Sequence, residues 1–205
     1  MPGAHPQRWN RNIHYHRLVL DAVPHGARSA LDVGTGNGLL AADLRRVVPD
    51  VTGIDRDATV LASARAEDAA VRWVQGDVLT HPFEPGSFDV VASVATLHHL
   101  PDLGAAMRRF AELTAPGGVV AVVGLARTSR LLELLLHGVG AVQHVHYQRR
   151  HGYWEHSAPM VWPPAHTYAE VRRTARTVLP GSQWRTLAMW RYLLVWHKPT
   201  MADSG

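Results

Sequence analysis

Short apolar runs alternate along the chain with stretches whose apolar residues recur at helical spacing. The runs at 29–33, 51–55, 71–76, 88–93 and 118–124 are rich in Val, Ile and Ala and are bounded by Gly, Pro or Asp, so each predicts a buried strand. Helices are predicted at 12–23, 37–48, 58–68, 103–114 and 167–178. Pro24-His25-Gly26 closes the first and Pro49 stops the second. Asp57, Asp102 and Thr167 stand where N-caps are needed, and Glu170 completes a capping box with Thr167. Two more strands, 184–189 and 191–197, are joined tightly enough for an antiparallel hairpin. Strands alternating with helices predict an α/β fold with a parallel, doubly wound sheet.

The pattern lapses in three places. Residues 1–12 read as a loose arm and 199–205 as a disordered tail. After the fifth strand, 131–136 is an apolar helical segment weakened by Gly138 and Gly140, and 141–166 is rich in His, Tyr, Trp and Pro without a period. This stretch, 126–166, is read as an insertion. The length of 205 residues suits one domain spanning 1–205.

Composition adds exclusions. Hydrophobic residues make up 46% and charged residues 19%, ordinary values for a globular protein. With no cysteine there is no disulfide frame, zinc–thiolate site or cysteine nucleophile. The first residues lack the apolar core of a signal peptide, and no run approaches the roughly 18 apolar residues of a membrane span, so no membrane contact is expected and the cytoplasm is the expected compartment. The net charge of +4 is unevenly spread: from Gln143 to Lys198 there are eight Lys or Arg but only Glu155 and Glu170 as acids. Basic and aromatic residues interleaved there could meet RNA or form the rim of a pocket. The pocket is preferred, because arginine replaces lysine almost throughout (Lys198 is the single lysine), a trait of composition.

The chemistry gathers at the strand ends. Leu31-Asp32-Val33-Gly34-Thr35-Gly36-Asn37-Gly38 reads as strand, glycine turn and helix start, a place where backbone N–H groups face a ligand. The spacing G-x-G-x-G differs from the dinucleotide pattern G-x-G-x-x-G. Gly53-Ile54-Asp55 ends the second strand in an acid about 20 residues past the first glycine, where a carboxylate can accept from ribose hydroxyls. Gln75-Gly76-Asp77 ends the third. Together with Phe88-Asp89-Val90-Val91-Ala92-Ser93, Leu97-His98-His99-Leu100 and Leu113-Thr114-Ala115-Pro116-Gly117-Gly118, these motifs resemble, in order and spacing over roughly 29–125, the class I S-adenosylmethionine (SAM) dependent methyltransferases, in the small-molecule branch that includes the ubiquinone and menaquinone enzymes.

That resemblance implies a Rossmann-like, mostly parallel seven-stranded sheet ending in an antiparallel hairpin, with SAM as cofactor. Gly34, Thr35, Gly36 and Gly38 would line the turn against SAM. Asp32 would help hold its ammonium, as would the Ser93 carbonyl. Asp55 would accept from the ribose, Asp77 from the adenine amino group, and the Val78 N–H would meet the ring, with Arg56 and Leu79 beside it. The arm 1–28 would act as a lid, with Tyr15 as its cofactor contact.

Methyl transfer needs alignment, exclusion of water and, for an acidic O–H or N–H, a base. His98 and His99 follow the fourth strand, where related enzymes place such a histidine, and His99 is the preferred candidate. A histidine pair there also serves merely to shape the loop. Tyr147, Tyr153, Trp154, His156 and Trp162 are candidates for a substrate wall. His144, His146, His151 and His156 match no defined metal spacing, so no metal is expected. The segment after Ser93 lacks the N/D-P-P-Y/F of base-amino methyltransferases, and Leu194 stands where a Tyr-x-x-x-Lys dehydrogenase needs tyrosine. The expected activity is methyl transfer to an O or N nucleophile of a small molecule. An acceptor in RNA or protein, or a SAM-binding partner protein without turnover, are the alternatives; nucleic acid is the less favoured partner and the oligomeric state is left open.

Overall fold

The computed structural model describes residues 9–100, 102–128, 138, 140, 143, 144, 146–150, 154 and 163–200. Seven strands form one sheet: β1 Ser29–Val33, β2 Asp50–Asp55, β3 Arg72–Gln75, β4 Phe88–Val94, β5 Thr114–Leu125, β6 Gln183–Leu187 and β7 Arg191–His197. Their spatial order is β3-β2-β1-β4-β5-β7-β6. The neighbours from β3 to β5 run parallel, and β7 is antiparallel to both β5 and β6. The order reverses between β1 and β4, and the crevice above the carboxyl ends of the strands at that point is where an open α/β sheet takes a ligand.

Alternation along the strands feeds two cores. Leu31, Val33, Val91, Val120, Val122 and Leu194 point to one face and pack with α4 (Leu103–Leu113) and α5 (Tyr168–Val178). Ala30, Val90, Ala92, Val119, Ala121 and Val123 point to the other, against α1 (His16–Leu20) and α2 (Leu39–Leu44). A sheet covered on both faces explains why its strands read as continuous apolar runs. The third helix, α3 (Ala58–Glu67), begins at Asp57, whose side chain accepts from Thr59 N at 2.7 Å. Asp102 and the Thr167–Glu170 capping box start α4 and α5 as the sequence predicts.

Several boundaries move. The predicted helix 12–23 divides into a 3-10 turn, Ile13–Tyr15, and the short α1. The predicted helix 37–48 begins only at Leu39, because Gly38 is left-handed (φ 82°), and its regular part ends at Leu44. Strand β6 stops at Leu187, because Met189 and Trp190 take positive φ values of 55° and 60° in the turn to β7. The apolar segment 131–136 lies outside the described residues, while residues 143, 144 and 146–150 are helical. Among the described residues no helix is long and apolar enough to cross a membrane.

Candidate functional site

A cleft of about 390 Å³ opens above β1, β2, β3 and β4, within the range of small-molecule sites. The glycine turn forms its floor. Gly34 N and Thr35 N both donate to Ile54 O, which ties the turn to β2. A side chain at Gly34 would collide with Thr96 from the loop after β4, whose hydroxyl sits 3.2 Å from Gly34 O. That close approach of two loops, together with a φ of 67°, is why glycine stands there.

Three carboxylates mark the strand tips. Asp32 is almost fully buried (1% exposed) and accepts from the Thr35 hydroxyl at 2.6 Å. Burial pushes its pKa up to about 6, while the Thr35 bond and the nearby His16 act the other way. Asp55 accepts from Gly36 N at 2.9 Å through Oδ2 and from Asp57 N at 3.0 Å through Oδ1. Each oxygen keeps a lone pair, so a vicinal diol can bond both. Asp77 Oδ1 accepts from Leu79 N at 2.9 Å, and its Oδ2 lies 3.8 Å from the Arg56 guanidinium. The loop carrying Asp77 is stapled to α4 by Arg109, which donates to the carbonyls of Val78, His81 and Phe83.

The opposite wall is aromatic and basic. Thr96, His98, His99 and Leu100 come from the loop after β4, which leaves the strand through Ala95 at a positive φ of 57°. A non-glycine residue held in that conformation is strained, a feature concentrated at functional sites. The rings of His98 and His99 lie 4.0 Å apart. Burial, His99 and Arg191 push the pKa of His98 down to about 3, so its ring stays neutral. His98 Nδ1 is buried without a hydrogen-bond partner among the described residues. Burial also lowers His99, an effect that the Asp55 charge opposes. Arg191, at the start of β7, lines the cleft and donates to Asn12 Oδ1 at 2.7 Å. The arm closes the remaining side: Trp154 N donates to Trp9 O at 2.8 Å and Asn10 Nδ2 to Trp154 O at 3.4 Å.

The structure gathers Asp32, Gly34, Thr35, Gly36, Asp55, Arg56, Asp77, Val78, His98, His99 and Trp154 around this one cleft. Other expected contacts lie elsewhere. Tyr15 points away: its hydroxyl donates to Ala188 O at 2.9 Å, and its pKa is raised to about 12 chiefly by burial. Gly38 sits behind the turn, where an added Cβ would lie 2.5 Å from the Trp73 ring. Ser93, expected to act through its backbone carbonyl, is fully buried with its hydroxyl donating to Val33 O, and Leu79 is partly buried against the core. Tyr147 stacks on Trp9 at 5.6 Å and bolsters the arm instead of lining the cleft. Tyr153, His156 and Trp162 lie outside the described residues. The cleft adds residues that sequence reasoning missed, among them Asn10, Arg11, His16 and Arg191. Only position in the fold reveals these, since none stands in a motif.

The acceptors at the strand tips suit a ligand that carries several separated donors along one molecule. Comparison with known proteins agrees. A family model described as a methyltransferase domain matches residues 31–122. A Mycobacterium tuberculosis protein named an uncharacterized methyltransferase is 44% identical over 94% of this chain and 98% of its own length. A ubiquinone biosynthesis O-methyltransferase of Pectobacterium carotovorum is 40% identical over 45% of this chain and 41% of its own. Among solved structures, a SAM-dependent methyltransferase from Aquifex aeolicus shares the fold, with a TM-score of 0.62 at 14% identity, over 89% of this chain and 88% of that one.

Proposed function

Because the chain belongs to the family of SAM-dependent methyltransferases, we propose that it methylates an oxygen or nitrogen nucleophile of a small molecule held in this cleft. One observation carries the reading: a single cavity has acceptor carboxylates along one wall and the imidazoles of His98 and His99 along the other, with Trp154 at its side. When bound, SAM supplies an electrophilic methyl group whose sulfur leaves neutral, so no general acid is required. On the cofactor side Asp32 accepts from the ammonium, Asp55 from the two ribose hydroxyls and Asp77 from the adenine amino group, with Val78 and Arg56 flanking the ring. These bonds involve charged acceptors and are correspondingly strong.

On the acceptor side His99 is the better base. A pKa near 3 makes His98 a poor proton acceptor near neutral pH, whereas His99, also lowered by burial, has the Asp55 charge opposing that effect and favouring the imidazolium that a base becomes. His98 shapes the wall beside it. The arm and the segment 126–166, which meet through Trp9 and Trp154, exclude water and select the acceptor within a single domain. The name of the Pectobacterium relative supports an oxygen of a small molecule as the receiving atom.

The test is incubation of the purified protein with methyl-labelled SAM and a panel of phenols, catechols and amines, beside total RNA and a protein extract. Label should move into an extractable small molecule, with S-adenosylhomocysteine formed in step. Label confined to RNA or protein would overturn the acceptor class. With an acceptor in hand, His99→Ala should lower turnover by about a hundredfold or more, the usual weight of a general base, with S-adenosylhomocysteine affinity unchanged.

A further inference from the structure

The cleft is charged in opposite senses along its length. Asp32, Asp55 and Asp77 stand over β1, β2 and β3, and Arg56 there lies 3.8 Å from Asp77, which answers its charge. Toward β7 the charged groups are Arg11 and Arg191. Arg191 opens β7 and pairs in register with Leu125 of β5, which also lines the cleft. In the order β1-β4-β5-β7 it begins three strands from Asp32, about 14 Å at ordinary strand spacing. It is 6% exposed, and its bonds to Asn12 Oδ1 at 2.7 Å and Met189 O at 3.4 Å orient the guanidinium through neutral oxygens that do not cancel its charge. That charge reaches His98, whose pKa it helps to lower. Arg11 lies 6.0 Å from the Trp190 ring, in the turn that leads into β7. Arg11 Nε and His98 Nδ1 are both buried without a hydrogen bond among the described residues, and His98 is only 9% exposed. Polar atoms left so in a cavity wall are costly unless a ligand or water completes them.

We propose that the methyl acceptor is a small carboxylic acid, whose carboxylate docks on Arg191 and Arg11 beside His98 while its O–H or N–H nucleophile faces His99. This inference rests on the methyltransferase reading. SAM brings no negative charge to this end: its amino-acid tail lies with Asp32 over β1, and its sulfonium carries a further positive charge toward β4. A neutral acceptor would be closed in with two guanidinium groups and that sulfonium, and a cationic one would be repelled. A carboxylate meets a guanidinium in a planar, two-bond geometry. The neutral His98 ring, with its proton on Nδ1, adds a donor to the same group. An anchor here also sets how far the nucleophile reaches toward the methyl group, so charge fixes orientation as well as identity.

Benzoate and benzamide differ in charge but scarcely in shape. Calorimetry on the protein saturated with S-adenosylhomocysteine should find benzoate bound at least tenfold more tightly than benzamide. With methyl-labelled SAM, hydroxybenzoates and aminobenzoates should be methylated in preference to their carboxamides. In R191Q the affinity for benzoate should fall about ten- to a hundredfold, the weight of a hydrogen bond to a charged group, with S-adenosylhomocysteine bound as to wild type. R191K, which keeps the charge but loses the fork, should retain part of the preference. R11Q, at a half-buried position, should show a loss of the same kind and serves should R191Q fail to fold. No preference for benzoate in wild type, or variants that weaken benzoate and benzamide alike, would overturn the proposal. So would an equal loss of S-adenosylhomocysteine affinity in R191Q or R11Q, which would put the arginines on the cofactor. Should wild type fail to bind S-adenosylhomocysteine, the methyltransferase reading falls and this inference with it. Normal cofactor binding without preference for the acid removes the acceptor class alone.

Discussion

Asp32 shows how one residue trades stability for binding. Its carboxyl has a pKa of about 6 in the fold against 3.8 for an unperturbed carboxyl, because burial disfavours the anion. The folded state therefore holds a proton that the unfolded chain has released between those values. Stability falls as pH rises through this window, and above it the cost is about 3 kcal/mol at 1.36 kcal/mol per unit. Asp32→Asn cannot ionise, so in the absence of ligand it should melt higher than wild type at pH 8, with the gap closing toward pH 4. The same variant should bind S-adenosylhomocysteine more weakly. A melting temperature below wild type at pH 8 would show that the carboxylate is not under this strain. Asp55 is the contrasting case, already held by two backbone donors and only half-buried. Asp55→Ala should weaken the same ligand by about 1–3 kcal/mol in a titration, the range for a lost bond to a charged group. Both acids were legible in the sequence, because each ends a strand at a fixed distance from the glycines. His16 was not, because its partner Asp43 lies 27 positions away and a lone histidine on a short helix carries no signal.

Among elements, the sheet was the legible part and the arm was not. A strand buried on both faces announces itself as an apolar run, whereas α1 owes its place to contacts made across the chain. Tyr15 illustrates the difference. A tyrosine before the first strand suggests a lid, yet its ring is buried (7% exposed) and its hydroxyl caps the carbonyl of Ala188, next to the strained pair Met189 and Trp190. The arm is thus anchored to the β6–β7 turn, and the same turn delivers Arg191 to the cleft. Tyr15→Phe should cost about 0.5–1.5 kcal/mol in denaturant unfolding, the worth of one hydrogen bond, with the adenosine part of the ligand bound as before. Gly38 was also misplaced by pattern alone. Its role is steric, between α2 and the Trp73 ring. Gly38→Ala should destabilise the fold, through both the left-handed φ and the contact at 2.5 Å.

At the scale of the molecule, the cleft lies where the sheet order reverses between two cores, and Asp32 and His98, on its two walls, are both stripped of water. The two walls answer in opposite senses. Asp32 burdens the folded state at higher pH. His98, with a pKa of about 3 in the fold against 6.5 for an unperturbed ring, burdens it at lower pH. The unfolded chain binds a proton at this position below about 6.5 that the folded chain refuses, so stability is undiminished above that pH and is lost as pH falls toward 3. The position gains nothing at pH 7.5, where the ring is neutral in both states. His98→Gln should therefore change the melting temperature by a fixed amount at pH 7.5, reflecting packing alone, and should gain on wild type steadily at pH 5.5 and 4.5. Carboxylates elsewhere that fail in acid are common to both proteins and cancel in the difference. A difference that stays constant from pH 7.5 to 4.5 would mean that water reaches the ring. The wall facing the acceptor would then be wet, and a neutral, desolvated imidazole pair could not be part of its chemistry.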